Sequence, residues 1–293
     1  MAQLNARGFA RTEEAITVLF CLVDDSYRHL NPRGRSHESL KKLSDSEVLT
    51  LALFQQLRGV ESERSFLRDA ERFLSHLFPG VVGLAPSSFH RRIRRLRRFL
   101  ELLRSAVLTD LVGELETLIV DSTLLPVLRP RQVAQSAGFG GAAWVRWGSF
   151  SVYGVKLHLI CATNRVPLSY ELTAANVAEV KLAQELLGEA RLGEDLVRRL
   201  LGDLAYRSGG LGKRLREVGV LLLTERSRQG GKRQQAEVAL SSLKRVFGLG
   251  ETLATTMVGF ATRVAAKICA YTYAFLVNRL LGRPRGRIKD LWA

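Results

Sequence analysis

The hydrophobic period of the chain changes once, near residue 117, and that change limits what it can fold into. Before it, apolar residues recur at helical spacing. "LSDSEVLTLALFQQLRG" begins with a cap at Ser44 or Ser46 and stops at Gly59. Helices are expected over 10–30, 43–58 and 64–78, the last ending at Pro79-Gly80, and over a long stretch opened by Pro86 and a Ser cap that forms one helix or two. After it, "LETLIVDS" is strand-like. "FSVYGVKLHLICATNRVPLSYELT" (150–173) alternates as two strands about a turn at Thr163-Asn164. Short strands ending at Asp203 and in "VLLLTE" then alternate with helices, and the chain closes in helices from 232 onward, one of them spanning about 257–281. The order from 117 on is β-β-β-α-β-α-β-α. That predicts an α/β (α+β type) domain, residues 113–293, with a mixed sheet flanked by helices, behind an all-helical region of residues 1–112.

Charge narrows the partner. The chain carries 44 basic and 28 acidic side chains, a formal net charge of +16. The excess is uneven: residues 226–293 hold 13 basic against 3 acidic side chains, and "FHRRIRRLRRFLELLR" (89–104) holds seven Arg against one Glu. A polyanion is the expected partner, with nucleic acid ahead of an anionic membrane. Short helices followed by an Arg-studded one suit a helix-turn-helix-like reader that would present Arg91, Arg92, Arg94, Arg95 and Arg98 to DNA; a helical bundle with a solvated basic face is the plainer alternative. No run of 18 apolar residues is present, so no membrane span is expected, and the N-terminus does not resemble a secretory signal. Cys21, Cys161 and Cys269 are far apart in apolar settings and read as three buried thiols of a reducing, cytoplasmic compartment.

Two carboxylates sit where they are costly. Asp121 ends the apolar run Leu118-Ile119-Val120, and Asp203 ends "VRRLLG". Ligands of α/β sheets gather at such strand ends. Were the strands neighbours, the two like charges would repel and each would resist desolvation; a divalent cation resolves both problems, and hard oxygen donors favour Mg²⁺ or Mn²⁺. Glu237 is the lone acid of a basic helix and shares a face with Arg233 and Lys244 at i, i+4 and i+11. Taken alone it is an ordinary helix ion pair; beside two strand-end aspartates it becomes a third ligand.

Asp121, Asp203 and Glu237, the last 34 residues after the second, resemble the DDE triad of RNase H-like transposases. "RQQAEVALSSLK" resembles the R-x₃-E-x₆-K signature of the IS4-type group, with Gly230 where that signature has Tyr. "VDSTLLPVLRPRQ", "YGVKLHLICATNRVPLSYELTAANVAE", "GDLAYRS" and "TRVAAKICAYTYAFLVN" are similar to the IS982 family of insertion-sequence transposases, and the resemblance covers roughly 43–280. It implies an RNase H-like fold and an enzyme that binds the terminal inverted repeats of double-stranded DNA, cuts at the element ends and joins the 3′ ends to target DNA with two Mg²⁺ or Mn²⁺ ions. It also implies a homodimer on DNA and a bacterial, nucleoid-associated protein.

The remaining candidates are basic or aromatic. Arg129 and Arg131 follow the first catalytic strand and are expected to clamp phosphates near the metals. Lys156 and His158 share a strand face and approach the crevice if that strand lies beside the first. Arg233 and Lys244 carry over from the signature as DNA contacts. Trp144 and Trp147 lie in a segment read as a connector, with core packing the plainer role and base stacking the alternative. The Gly-rich basic loop 226–234 and the basic tail 279–292 read as DNA-contacting or solvated segments. Two other functions keep the same acids in view: a structure-specific nuclease without strand transfer, and an inactive DNA-binding derivative.

Overall fold

A computed structural model describes residues 6–32, 40–113, 115–133, 138–190, 197–224 and 230–288. Of the loop expected at 226–234, residues 226–229 lie outside them, as does the end of the tail; residues 230–234 open a helix. The chain forms two compact units: Met1–Val107 with Val246–Ala254 and Val258–Ala293, and Leu108–Arg245 with Thr255–Met257.

The first unit is helical. It contains α1 (Ala6–Leu30), α2 (Asp45–Leu57), α3 (Glu63–Leu74), α4 (Pro86–Arg95) and α5 (Arg97–Ala106). Ser44 caps α2 in a capping box: its hydroxyl accepts from the Glu47 N–H at 3.1 Å, and the Glu47 carboxylate accepts from the Ser44 N–H at 2.5 Å. Every residue of α2 except Glu47 is buried, as expected of a helix apolar all round. The stretch after Pro86 is two helices, because the chain leaves helical geometry at Leu96. Pro86 starts α4 behind Ala85, and no side chain caps it, so the expected Ser cap is absent. The last long helix of the chain is buried from Gly259 to Asn278 except at Arg263. Its Lys267 donates to Glu61 at 2.6 Å and to the Phe247 carbonyl, and Arg263 donates to Glu63 at 2.9 Å. Cys269 is buried, whereas Cys21 is exposed, contrary to the expectation of three buried thiols; it falls on the outward face of α1.

The second unit is a six-stranded mixed sheet. After the short α6 (Leu108–Leu111) come β1 (Thr117–Leu128), the one-turn α7 (Pro130–Val133), β2 (Ala143–Trp147), β3 (Phe150–Ala162) and β4 (Pro167–Ala174). Then follow α8 (Ala183–Ala190), β5 (Arg199–Leu201), α9 (Gly209–Glu217), β6 (Leu221–Leu223) and α10 (Gly230–Arg245); α11 (Met257–Leu280), the last long helix, belongs from Val258 onward to the first unit. β3 lies antiparallel to β1, with β2 and β4 along its other edge. β5 runs parallel to β1, and β6 parallel to β5. An antiparallel meander extended by two parallel strands reached through helices is the RNase H-like arrangement, as expected. β2 was not expected: "AWVRW" pairs with β3 from Ala143 opposite Gly154 to Trp147 opposite Phe150. Its indoles break the polar–apolar alternation that marks a strand.

Helices cover both faces. On the face of Ile119 and Cys161, Ala236 of α10 packs with those two residues and Leu201. On the face of Val120 and Ile160, the hydroxyl of Ser169, paired opposite Ile160, donates to the Leu186 carbonyl of α8 at 2.7 Å.

Candidate active site

Parallel pairing of β1 with β5 ends at one rung, Ile119 opposite Leu201. Asp121 and Asp203 each lie two residues beyond it. Because strand side chains repeat their direction every second residue, Asp121 shares the face of Ile119. The buried cluster on that face is Ile119, Cys161, Leu201 and Ala236, edged by Leu223. Glu237 is the residue after Ala236. One apolar patch therefore lies under the segments that carry all three acids. Arg165, at the turn from β3 to β4 in a left-handed conformation (φ 75°), steadies α10 over this patch: its Nε donates to the Gln235 carboxamide oxygen at 2.7 Å.

The electrostatics report the proximity. Burial raises the Asp121 pKa to about 6; the charges of Asp203 and Glu237 push the same way, while the Ser122 N–H, donating at 2.8 Å, and the Arg233 charge pull it down. Asp203 accepts from the Ala205 N–H at 2.9 Å and caps the 3-10 turn Leu204–Tyr206. Glu237 pairs with Arg233 at 2.8 Å. Lys244, two turns along from Glu237, has its pKa lowered by burial, against which the Asp121 charge acts. Among the described residues no group of three or more His, Cys, Asp or Glu side chains is set to hold a metal ion. The acids are thus within electrostatic reach of one another, with Asp203 turned to its own backbone and Glu237 to Arg233. The donors are nonetheless those a hard cation requires: carboxylate oxygens, one of them on a half-buried group whose charge burial and two neighbouring acids disfavour.

Three sets of expected contacts fall elsewhere. Lys156 and His158 stand opposite Leu124 and Ser122, so the pleat turns them to the face away from Asp121, which is paired with Leu159. Lys156 is held by Glu179 at 2.6 Å and by the Val177 carbonyl at 2.8 Å. His158 is fully buried against Thr173 at 2.9 Å; burial and the Lys156 charge lower its pKa to about 4, with Glu179 opposing, so the ring is neutral and out of reach of DNA. Arg129 and Arg131 are exposed, but β1 runs on to Leu128. At about 3.3 Å per residue, Arg129 stands some 25 Å along the strand from Asp121. Arg92 is tied to Asp45 at 2.7 Å and to the Leu43 carbonyl at 2.7 Å, an internal anchor, whereas Arg91, Arg94, Arg95 and Arg98 are exposed. Trp144 is exposed on β2, with its ring 5.4 Å from that of Tyr153, so core packing does not describe it. Tyr206, absent from the sequence-derived candidates, is buried beside Ser122 on the face opposite Asp121. Its signal in the sequence is the Asp-x-x-Tyr spacing from Asp203.

The chain is similar to the piggyBac transposase of a synaptic complex with hairpin DNA, at 12% identity over 97% of this chain and 78% of that one, with a TM-score of 0.49. It is also similar to a chain of a pre-cleavage Mos1 transpososome, at 12% identity over 78% of each chain, with a TM-score of 0.26. No curated protein matches it. The model of the Transposase DDE domain, however, matches residues 113–273, more than half of the chain and all six strands, and by that match the chain belongs to the DDE transposase domain family.

Proposed function

We propose that this transposase binds the terminal inverted repeats of an IS982-type insertion sequence, cleaves DNA at the element ends and joins the 3′ ends to target DNA, with Asp121, Asp203 and Glu237 as the metal-holding acids. The observation that carries the reading is the one apolar patch under all three acidic segments, with the Asp121 pKa raised by burial and, secondarily, by the charges of the other two. Mg²⁺ or Mn²⁺, two ions in this reading, would supply activation of the attacking oxygen and neutralisation of the leaving one. Asp121 and Asp203, from neighbouring strands, and Glu237, from α10, are the residues that would hold the ions, with Glu237 giving up its pairing with Arg233. Arg233 and Lys244, on the same helix face, then meet DNA phosphates beside the acids.

The exposed arginines of α4 and α5 and the strongly basic C-terminal quarter support a grip on the duplex backbone, so the helical N-terminal region is assigned to DNA recognition. Arg129 and Arg131 would touch DNA outside the catalytic crevice. Pairing two element ends calls for a homodimer on DNA. No helix among the described residues is long and apolar enough to cross a membrane. The proposed DNA partner supports a bacterial, nucleoid-associated location for the working protein.

A joining assay tests the reading. Pre-cut inverted-repeat ends with free 3′-OH groups, supplied with Mg²⁺ and plasmid target, are expected to yield insertion products with the native chain and none with Asp121→Asn. Metal-dependent nicking without insertion would make the protein a nuclease. DNA binding with neither activity would make it an inactive derivative.

A further inference from the structure

Pairing holds β5 to β1 only as far as Leu201, so the Asp203 carboxylate lies beyond the last rung that fixes its distance from Asp121. Something else must set that distance, because ion binding by two carboxylates is sensitive to their spacing. Around Asp203, the Gly202 N–H donates to the Leu223 carbonyl at 3.1 Å, and the Tyr206 N–H donates to the Asp203 carbonyl at 3.2 Å. The Tyr206 ring folds back over Gly202 so closely that a Cβ there would lie 3.0–3.1 Å from three of its carbons. Tyr206 is 1% exposed, and its hydroxyl reaches the Ser122 side chain without a partner at full hydrogen-bond geometry. Ser122 follows Asp121 and donates its N–H to the Asp121 carboxylate at 2.8 Å. A chain of contacts thus runs from the Asp203 turn, through the Tyr206 ring and hydroxyl, to Ser122 and so to Asp121, passing on the side of the sheet away from the acids.

We infer that Tyr206 is a positioning residue: bearing on Ser122, it sets the separation of Asp121 and Asp203 and thereby the affinity of the pair for a divalent ion. The inference rests on the assignment of those two acids as ligands. A buried phenol with no completed hydrogen bond is costly to keep in a merely structural role. Its cost is offset if the Tyr206–Ser122 contact closes to a hydrogen bond when the acids draw together on an ion. The ring, resting on Gly202, supports the turn in either state.

The test is Mn²⁺ binding to the full-length protein by calorimetry, with thermal unfolding of the metal-free protein alongside. Tyr206→Phe keeps the ring and Ser122→Ala keeps the backbone, so both are expected to fold with an unfolding temperature no lower than that of the native chain. Each should weaken Mn²⁺ about three- to tenfold, the lower end of what outer-sphere partners of metal ligands contribute. The double variant should lose no more than either single one, because both remove the same contact. Unchanged Mn²⁺ affinity in both single variants, or a double loss equal to their product, overturns the inference. Asp121→Asn separates the two levels. If it too leaves Mn²⁺ binding unchanged, the assignment of the acids fails; if it abolishes binding while Tyr206→Phe does not weaken it, only the role of Tyr206 fails.

Discussion

The Glu237 carboxylate lies 2.8 Å from the Arg233 guanidinium, one turn back along α10. Both side chains are partly exposed, so the pair adds little to stability. Under the proposed function its consequence is competition: a cation held by the three acids would take Glu237 from Arg233 and leave Arg233 to pair with a phosphate. Arg233→Gln is therefore expected to bind Mn²⁺ more tightly than the native chain in the absence of DNA, by no more than about fivefold, the value of an exposed ion pair. It should also bind element-end DNA more weakly. Calorimetry with Mn²⁺ and a gel-shift titration check the two halves, and weaker Mn²⁺ binding would contradict the competition.

Asp121 links the site to stability. Its pKa is raised from 3.8 to about 6, so the folded chain binds that proton more tightly than the unfolded one. In the metal-free protein, this group's contribution is neutral below about pH 4, turns unfavourable as pH rises through 6, and is constant above. Asp121→Asn should stabilise the metal-free protein at pH 7.5 by about 2–3 kcal/mol and have little effect at pH 4. Urea unfolding at the two pH values measures this, and equal effects at both would contradict it.

The arginines of α4 and α5 divide into two kinds. Replacing exposed Arg91, Arg94, Arg95 and Arg98 with Ala should leave stability nearly unchanged. The slope of log affinity for DNA against log salt should flatten by about 0.9 for each one that meets a phosphate. Arg92→Ala should instead destabilise the chain by about 1–3 kcal/mol, because it strips a donor from buried Asp45. Burial works to raise the Asp45 pKa, yet hydrogen bonds from Arg92, Tyr27 and Lys41 hold it below the usual carboxylate range. Filter binding across a salt series, paired with thermal melts, distinguishes the two.

Gly202 makes room for Tyr206. Gly202→Ala would bring a methyl against the Tyr206 ring and should cost about 1–3 kcal/mol, the range for overpacking a filled site. The combination with Tyr206→Leu should recover part of that loss. A thermal-melt comparison of the three variants reads it, and a double variant no better than the sum of the singles would mean the strain lies elsewhere.

Asp121 and Asp203 were legible as strand-end carboxylates, because charge at the end of an apolar strand is costly to desolvate. The parallel pairing that aligns them was not, since it depends on which strand lies beside β1. Lys156 and His158 show the limit: alternation correctly put them on one face together, but the register that opposes Ser122 with His158 decides which face, and only pairing fixes register. Arg129 was expected near the acids because the strand reads as ending in "LETLIVDS", at Asp121 and Ser122. In the fold, β1 carries Pro126 into its last residues, where the register with β3 shifts between Pro126 and Leu128. Arg92 and Arg91 are indistinguishable in sequence; only the approach of Asp45 separates an internal anchor from an exposed side chain.

The most direct measurement is anomalous diffraction from Mn²⁺ in crystals of the protein with a pre-cut element end. The account predicts Mn²⁺ density ligated by the carboxylates of Asp121 and Asp203, with Glu237 swung from Arg233 to complete the set and the 3′-terminal phosphate beside it. Mn²⁺ bound without Asp121, or held by Asp121 and Asp203 while Glu237 stays on Arg233 away from the ions, would contradict it.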